Sequence, residues 1–302
     1  MTQWRIQRRQ QVRDDGTGVV VSRPTAYRID VSAASGYIKG MKKFLAYLLI
    51  FLLLWLPAWP GMCRAGDDAA VDIDDVVSES LYLGIPKEPD LLLVRRGFSV
   101  GYSARYRQAV WVSYILSADH LGMVQLKRAG KFAVDPAVRQ DPVHPGEYNR
   151  TGFDRGHLAP AADMTYSFET MRNSFYMTNI SPQLPGCNRG IWKRLEEQVR
   201  RWALKEGELY VITGPIFDRK PRRMGRRGIP VPTAFYKVIL DLTPPRKMIA
   251  FIIPNESTRR RLSSFVTTVD AVEALTRCDF FSKLDDAEEE ALESVSDFKA
   301  WR

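Results

Sequence analysis

Asp154-Arg155-Gly156-His157 sets a guanidinium two residues before an imidazole, and Asn188 and Glu196 follow about thirty residues later. An unperturbed imidazole titrates near ~6.5, so His157 is suited to take a proton from water at neutral pH. The Arg155 guanidinium can grip a phosphate oxygen through forked hydrogen bonds. Zinc is an unsuitable partner: the chain has three histidines, His120, His144 and His157, and no CxxC pair, so the usual nitrogen and sulfur ligand set cannot be assembled. Oxygen donors suit a hard cation such as Mg²⁺, which keeps several of its waters. The side-chain carbonyl of Asn188 is such a donor. Eight residues of helix place Glu196 within ~80° of Asn188 around the axis, where a carboxylate can hold a water on the ion. Together these residues describe a site that cleaves phosphodiesters.

Each residue also has a plainer use. His157 can be a packed core histidine, Asn188 a helix N-cap, and Glu196 one more solvated charge on a helix. A different chemistry would pair Cys187 as nucleophile with His157 as base; thiol alkylation without chelator sensitivity would mark it. A nucleic-acid-binding module would bind without cutting.

The elements that must hold these residues are a sheet and one strong helix. Leu91–Val94, Phe98–Tyr102 and Ala109–Leu116 are rich in β-branched and aromatic residues and read as strands. So do Leu209–Thr213, Phe235–Asp241 and Met248–Ile253. Between them a polar, Pro-containing stretch, 118–150, leads into the His157 motif. Over Asn188–Leu204 the apolar residues Ile191, Leu195, Val199 and Trp202 recur at helical spacing, with basic residues on the other face. Asp270 with Glu273 reads as a capping box for a helix through Thr276. The fold class is α+β.

A formal charge of +9 on 302 residues divides unevenly. Residues 1–65 hold 10 Lys/Arg against 3 Asp/Glu, and acidic runs at Asp67–Asp75 and Asp285–Asp297 flank a stretch, 76–284, with 32 basic and 20 acidic residues. The central domain therefore carries an excess of twelve positive charges, suiting a polyanionic partner. Its densest part is Arg219-Lys220-Pro221-Arg222-Arg223-Met224-Gly225-Arg226-Arg227, a loop between strands that is expected to grip a phosphate backbone.

Met41-Lys42-Lys43 precedes thirteen apolar residues, Phe44 to Leu56, and then Cys63-Arg64-Ala65. That is the layout of a signal peptide, since a spanning helix needs ~20 apolar residues. The division is 1–40 as an N-terminal extension, 41–65 as signal peptide, 66–79 as acidic linker, 80–284 as the domain and 285–302 as an acidic tail. The protein is expected to be exported, the alternative being an anchor over residues 44–60. Export would leave Cys187 and Cys278 in an oxidising compartment, either paired or as two small buried thiols.

Three strings carry a resemblance: Thr151-Gly152-Phe153-Asp154-Arg155-Gly156-His157-Leu158-Ala159-Pro160, Asn179-Ile180-Ser181-Pro182-Gln183, and Asn188-Arg189-Gly190-Ile191-Trp192-Lys193-Arg194-Leu195-Glu196. They resemble the sugar-nonspecific DNA/RNA endonuclease family, and the likeness runs through Val211-Ile212-Thr213-Gly214-Pro215 and Pro230–Val238, covering roughly 80–282. The resemblance implies the ββα-metal fold, a central antiparallel sheet with flanking helices, and hydrolysis of DNA and RNA to 5′-phosphate products. It implies His157 as general base, Asn188 as direct ligand of one Mg²⁺ for which Mn²⁺ can substitute, Glu196 as holder of a metal water and Arg155 as a phosphate contact. Arg128 and Arg194 are further candidates for substrate binding. Arg277 stands where the family often has Gly, which bears on a turn ahead of Phe280-Phe281.

Overall fold

The structure, a computed structural model, describes residues 79–123, 126 and 130–301. The signal-peptide, linker and Arg128 expectations lie outside these residues.

The β-rich runs form strands β1 (Leu91–Arg95), β2 (Phe98–Ser103), β3 (Gln108–Ser117), β6 (Glu208–Ile216), β9 (Ala234–Asp241) and β10 (Lys247–Pro254). With the short β11 (Val266–Thr267) they make one seven-stranded sheet, ordered β1-β2-β3-β6-β9-β10-β11 and antiparallel throughout. Each central strand is apolar on both sides, as a sheet covered on both faces requires. In β9, Phe235 and Ile239 enter one core and Tyr236, Val238 and Leu240 the other.

The first face is covered by helix α3 (Lys193–Glu206), following the short helices α1 (Ala118–Gly122) and α2 (Phe168–Ser174). Leu195, Val199 and Trp202 of α3 are buried as their spacing requires. The helix begins later than expected, however. Cys187–Trp192 forms a π-helical turn broken at Gly190, whose φ and ψ are −107° and −106°. Asn188 lies inside that turn and caps nothing.

The second face is covered by α4 (Val269–Thr276) and α5 (Asp286–Glu293), with Val269, Val272, Phe280 and Phe281 in its core. The expected Asp270–Glu273 capping box is absent. Thr268 is the N-cap, accepting from the Ala271 N–H at 3.2 Å, and Glu273 instead accepts from the Phe280 N–H at 2.7 Å. Arg277 takes the left-handed turn at φ 58° that a glycine would take more easily. The acidic segment 285–302 packs: α5 contains Glu293, buried, and Trp301 sits 4.9 Å from the Trp202 ring.

Candidate active site

Beside the large sheet stands a two-stranded ribbon of β4 (Asp154–His157) and β5 (Ile180–Gln183), with Asp154 opposite Gln183 and His157 opposite Ile180. Successive side chains alternate along a strand, so Arg155 and His157 share a face and Asp154 and Gly156 take the other. At Gly156 the Gln183 side chain occupies the space that a Cβ would need. Glycine is thus required by close approach.

His157 is 8% exposed, packed between Phe132 and Phe175 at ring separations of 5.4 and 5.0 Å. The backbone after it is clamped by buried Asn179. Its Oδ1 accepts from the Ala159 N–H, and its Nδ2 donates to the carbonyls of Ala159 and Ser174, all at 2.9 Å. Arg155 is more occupied than a free phosphate grip would be. Its Nε and Nη2 donate to the Pro145 carbonyl at 3.1 and 2.6 Å, and Nη2 donates also to Asn149 Oδ1 at 2.6 Å. Its plane lies by the Phe132 and Tyr148 rings. Both donors of Nη1 remain for a ligand, so the expected fork narrows to one nitrogen.

Just after β5 the chain brings Asn188 against Asp154 of the neighbouring β4. Leu184, just after β5, accepts from the Asn188 N–H at 2.9 Å, and the Leu184 N–H donates to buried Asn255 at 2.8 Å. Asn188 Nδ2 then donates to Asp154 Oδ2 at 2.9 Å. Asp154 also holds Arg189 through two hydrogen bonds of 2.6 and 2.7 Å. Burial would raise the Asp154 carboxyl, but the bonds from Arg189 and Asn188 outweigh it and hold the group below its usual range. With its amide nitrogen committed to Asp154, Asn188 has Oδ1 as its remaining atom for a cation. His157 is three residues along β4 from Asp154, about 10 Å of strand. One side-chain amide and water suit Mg²⁺, which seldom takes a full protein cage. The donor set fits it.

Glu196 and Arg200 project from α3 one turn apart. Arg200 Nη1 donates to Asp163 Oδ1 at 2.7 Å, and the Tyr114 hydroxyl donates to Asp163 Oδ2 at 3.1 Å. Asp163 ends the short turn Ala161–Asp163 that follows His157, so the ion pair ties α3 to the motif. Burial pushes the Asp163 carboxyl up despite Arg200. Beneath them lies Lys237 of β9, fully buried, its Nζ 5.1 Å from the Trp192 ring and 5.7 Å from Tyr114. Burial lowers its ammonium to about 8, against the attraction of Glu196 and Asp163. In the sequence Asp154 stands in the motif without a role, Arg200 reads only as part of the basic helix face, and nothing points to Asp163. For Lys237, a lysine inside an otherwise apolar strand is the one available signal.

Arg194 is exposed and donates to the Arg260 carbonyl at 3.1 Å. The basic loop is a hairpin, β7 (Arg223–Met224) with β8 (Ile229–Pro230). Arg227 pairs with Asp141 and Glu147, Arg223 donates to the Gly228 carbonyl, and Arg222 lies over Phe153. Arg226 and Arg227 line an open cleft of about 840 Å³ with Asn149, the residue that Arg155 holds. Cys187 and Cys278 are both buried free thiols, and burial pushes Cys187 up to about 12. A protonated, buried thiol is no nucleophile.

The profile of DNA/RNA non-specific endonucleases matches residues 77–287. The chain belongs to the DNA/RNA non-specific endonuclease family. It is 36% identical over 226 residues to Nuclease C1 of Cunninghamella echinulata var. echinulata, covering 69% of this chain and 90% of that one. Over 245 residues it is 30% identical to a nuclease of Nostoc sp., covering 75% and 89%. Human mitochondrial endonuclease G is 30% identical over 194 residues, covering 59% and 65%. A chain of a crystal structure of the EndoG/EndoGI complex superimposes with a TM-score of 0.65 at 26% identity, covering 69% of this chain and 92% of that one. The sheet and its flanking helices are thus those of the endonuclease's ββα-metal fold, and this endonuclease is a nucleic-acid hydrolase. Among the described residues no helix is long and apolar enough to cross a membrane.

Proposed function

We propose that the chain is a magnesium-dependent endonuclease acting on DNA and RNA, with His157 as general base and Asn188 as the protein ligand of one ion. The observation that carries this reading is the Asn188–Asp154 hydrogen bond. It fastens the amide to the strand that bears His157 and leaves a carbonyl oxygen for the cation. His157, fixed by Phe132, Phe175 and the Asn179 clamp, takes a proton from water. Arg155 offers Nη1 to a phosphate oxygen and gains most as charge builds there. Bound Mg²⁺ would offset charge on the phosphate and on the leaving 3′ oxygen. Glu196 would hold a water of that ion, with Lys237 beneath it as counter-charge. The contacts available are to the phosphate backbone, which carries no sequence information, so cleavage should show weak base preference. Replacing Asn188 by Ala tests the reading: the Mg²⁺ concentration for half-maximal cleavage should rise, whereas an unchanged magnesium response removes Asn188 as ligand.

The apolar run Phe44 to Leu56 after Lys42-Lys43 supports export. N-terminal sequencing of the protein from its host should find a start near Gly66; an intact segment 1–40 would defeat the export reading.

A further inference from the structure

On the sheet face opposite α3, three carboxylates converge from two helices. Asp270 and Glu273 stand three residues apart on α4, hence on one face of it. Glu293 is the last residue of α5. One oxygen from each lies within 4.8 Å of those of the other two.

Surface acids often cluster harmlessly, but this cluster is not wholly at the surface. Glu293 is 5% exposed, and its Oε1 is buried without a hydrogen-bond partner. Removing such a group from water is unfavourable unless something replaces the water. A carboxylate at a helix C-terminus also faces the negative end of the helix dipole, so its own helix opposes it. Glu273 is fixed in place by the Phe280 N–H at 2.7 Å, a bond that favours its ionised form. Among the described residues none of the three carboxylates has a Lys or Arg partner. Arg246 pairs instead with Glu288, and Lys87 donates to the Thr276 carbonyl. Asp279 and Glu289 add further negative charge around the group. Burial first and neighbouring carboxylates second raise Glu273 to about 7 and Glu293 to about 8. Near neutral pH these two groups therefore tend to hold protons, which a bound cation would displace.

Spacing indicates which cation fits. Oxygens bound to one Ca²⁺ lie ~2.3–2.6 Å from it and therefore up to ~5 Å from each other, whereas around Mg²⁺, at ~2.0–2.1 Å, the limit is ~4.2 Å. The three oxygens lie within 4.8 Å of one another, inside the Ca²⁺ limit, and three protein carboxylates suit Ca²⁺, which takes roughly six to eight oxygens, better than Mg²⁺, which is held through about one or two. Asp270 is exposed and leaves an open side through which the ion can enter and keep waters. We propose that Asp270, Glu273 and Glu293 bind a structural Ca²⁺ that fastens α5 to α4. The site is separate from the His157 region, with the whole sheet between them, so it acts on stability and not on the chemistry.

The test is thermal unfolding of the full chain, stripped with chelator and desalted, with and without CaCl₂. A ligand at a hundredfold its Kd should raise Tm by ~5–10 °C in a domain of this size. The rise should persist in Asn188→Ala, which removes the active-site ligand, and should fall below ~2 °C in Glu293→Gln and in Asp270→Asn. Asp270→Asn is at an exposed position, so it keeps the test decisive should Glu293→Gln fail to fold. Calorimetric titration of Asn188→Ala with CaCl₂ should find one site. No rise in wild type up to about 10 mM, above the Kd range of weak Ca²⁺ modules, would overturn the proposal. So would a rise that survives both acidic-site variants or one that disappears only in Asn188→Ala.

Discussion

Replacing Lys237 by Met should make the protein more stable and less active. Lys237 is fully buried, and its ammonium sits at about 8 where an ordinary lysine has 10.5. At ~1.4 kcal/mol per unit, keeping it charged in the native state costs about 3 kcal/mol at neutral pH. That figure already includes the attraction of Glu196 and Asp163. Methionine fills a similar volume without charge, so the variant should gain about 2–3 kcal/mol, or ~4–12 °C in Tm. The pH dependence supplies the sign. A base whose folded pKa is lowered carries its full penalty below about 8, and the penalty is relieved as pH rises toward 10.5. Wild-type stability should therefore climb across this window relative to the variant, closing the gap by ~2 kcal/mol at about 1.5 units above the folded value. Tyrosines that titrate higher cancel in the difference. Glu196 meanwhile loses its counter-charge, which should lower cleavage by ~10–100-fold, the usual effect of removing a supporting partner of a metal site. Urea unfolding of both proteins at several pH values, with plasmid cleavage alongside, is the assay. A variant that is less stable with no pH-dependent gap would show that the Lys237 ammonium is not lowered in the fold and carries no burial penalty. Higher stability with unchanged cleavage would show that it does not support Glu196.

Loss of the imidazole in His157→Ala should lower turnover by ~10²–10⁴ with DNA binding retained, measured by cleavage and by filter binding; a fall within threefold, far under that range, would remove His157 as base. Asn188→Ala should shift magnesium half-saturation upward more than Glu196→Ala does, read from cleavage against Mg²⁺. In the basic hairpin, Arg227 and Arg223 are engaged within the protein, so replacing Arg222 and Arg226 by Ser should remove most of the contact. The slope of log K against log salt on duplex DNA should flatten by about 2 units, near 0.9 for each phosphate released. An unchanged slope would move the footprint to the basic face of α3.

The strands were legible because β-branched and aromatic runs in this sheet are long and bounded by turn residues. The α3 pattern was legible too, but not its start: the π-helical turn around Gly190 exists to bring Asn188 against Asp154, a contact between residues 34 apart that no local signal encodes. The same holds for the capping box. Asp270 and Glu273 have the right spacing, yet Thr268 is the better cap and Glu273 is drawn to the Phe280 N–H by the turn at Arg277. His157 and Asn188 stand out in the sequence through the types of their side chains. The charges that hold α3 to the motif, Asp163 with Arg200 and Lys237 beneath, depend on which face each element turns inward. Arg155 was read as a phosphate contact from its place two residues before His157, but its bonds to Pro145 and Asn149 depend on the folded chain.

Metal-dependent cleavage of both nucleic acids from the site around His157 and Asn188 is what the proposed function requires. Its most direct test is incubation of the purified full chain with supercoiled plasmid and with single-stranded RNA, in Mg²⁺ and in excess chelator, beside His157→Ala. In Mg²⁺ the plasmid should be nicked and then fragmented and the RNA fragmented, leaving 5′-phosphate ends, with no cleavage in chelator and cleavage slowed ~10²–10⁴-fold in the variant. Cleavage that persists in chelator, or that His157→Ala performs as well as wild type, would contradict the proposed function.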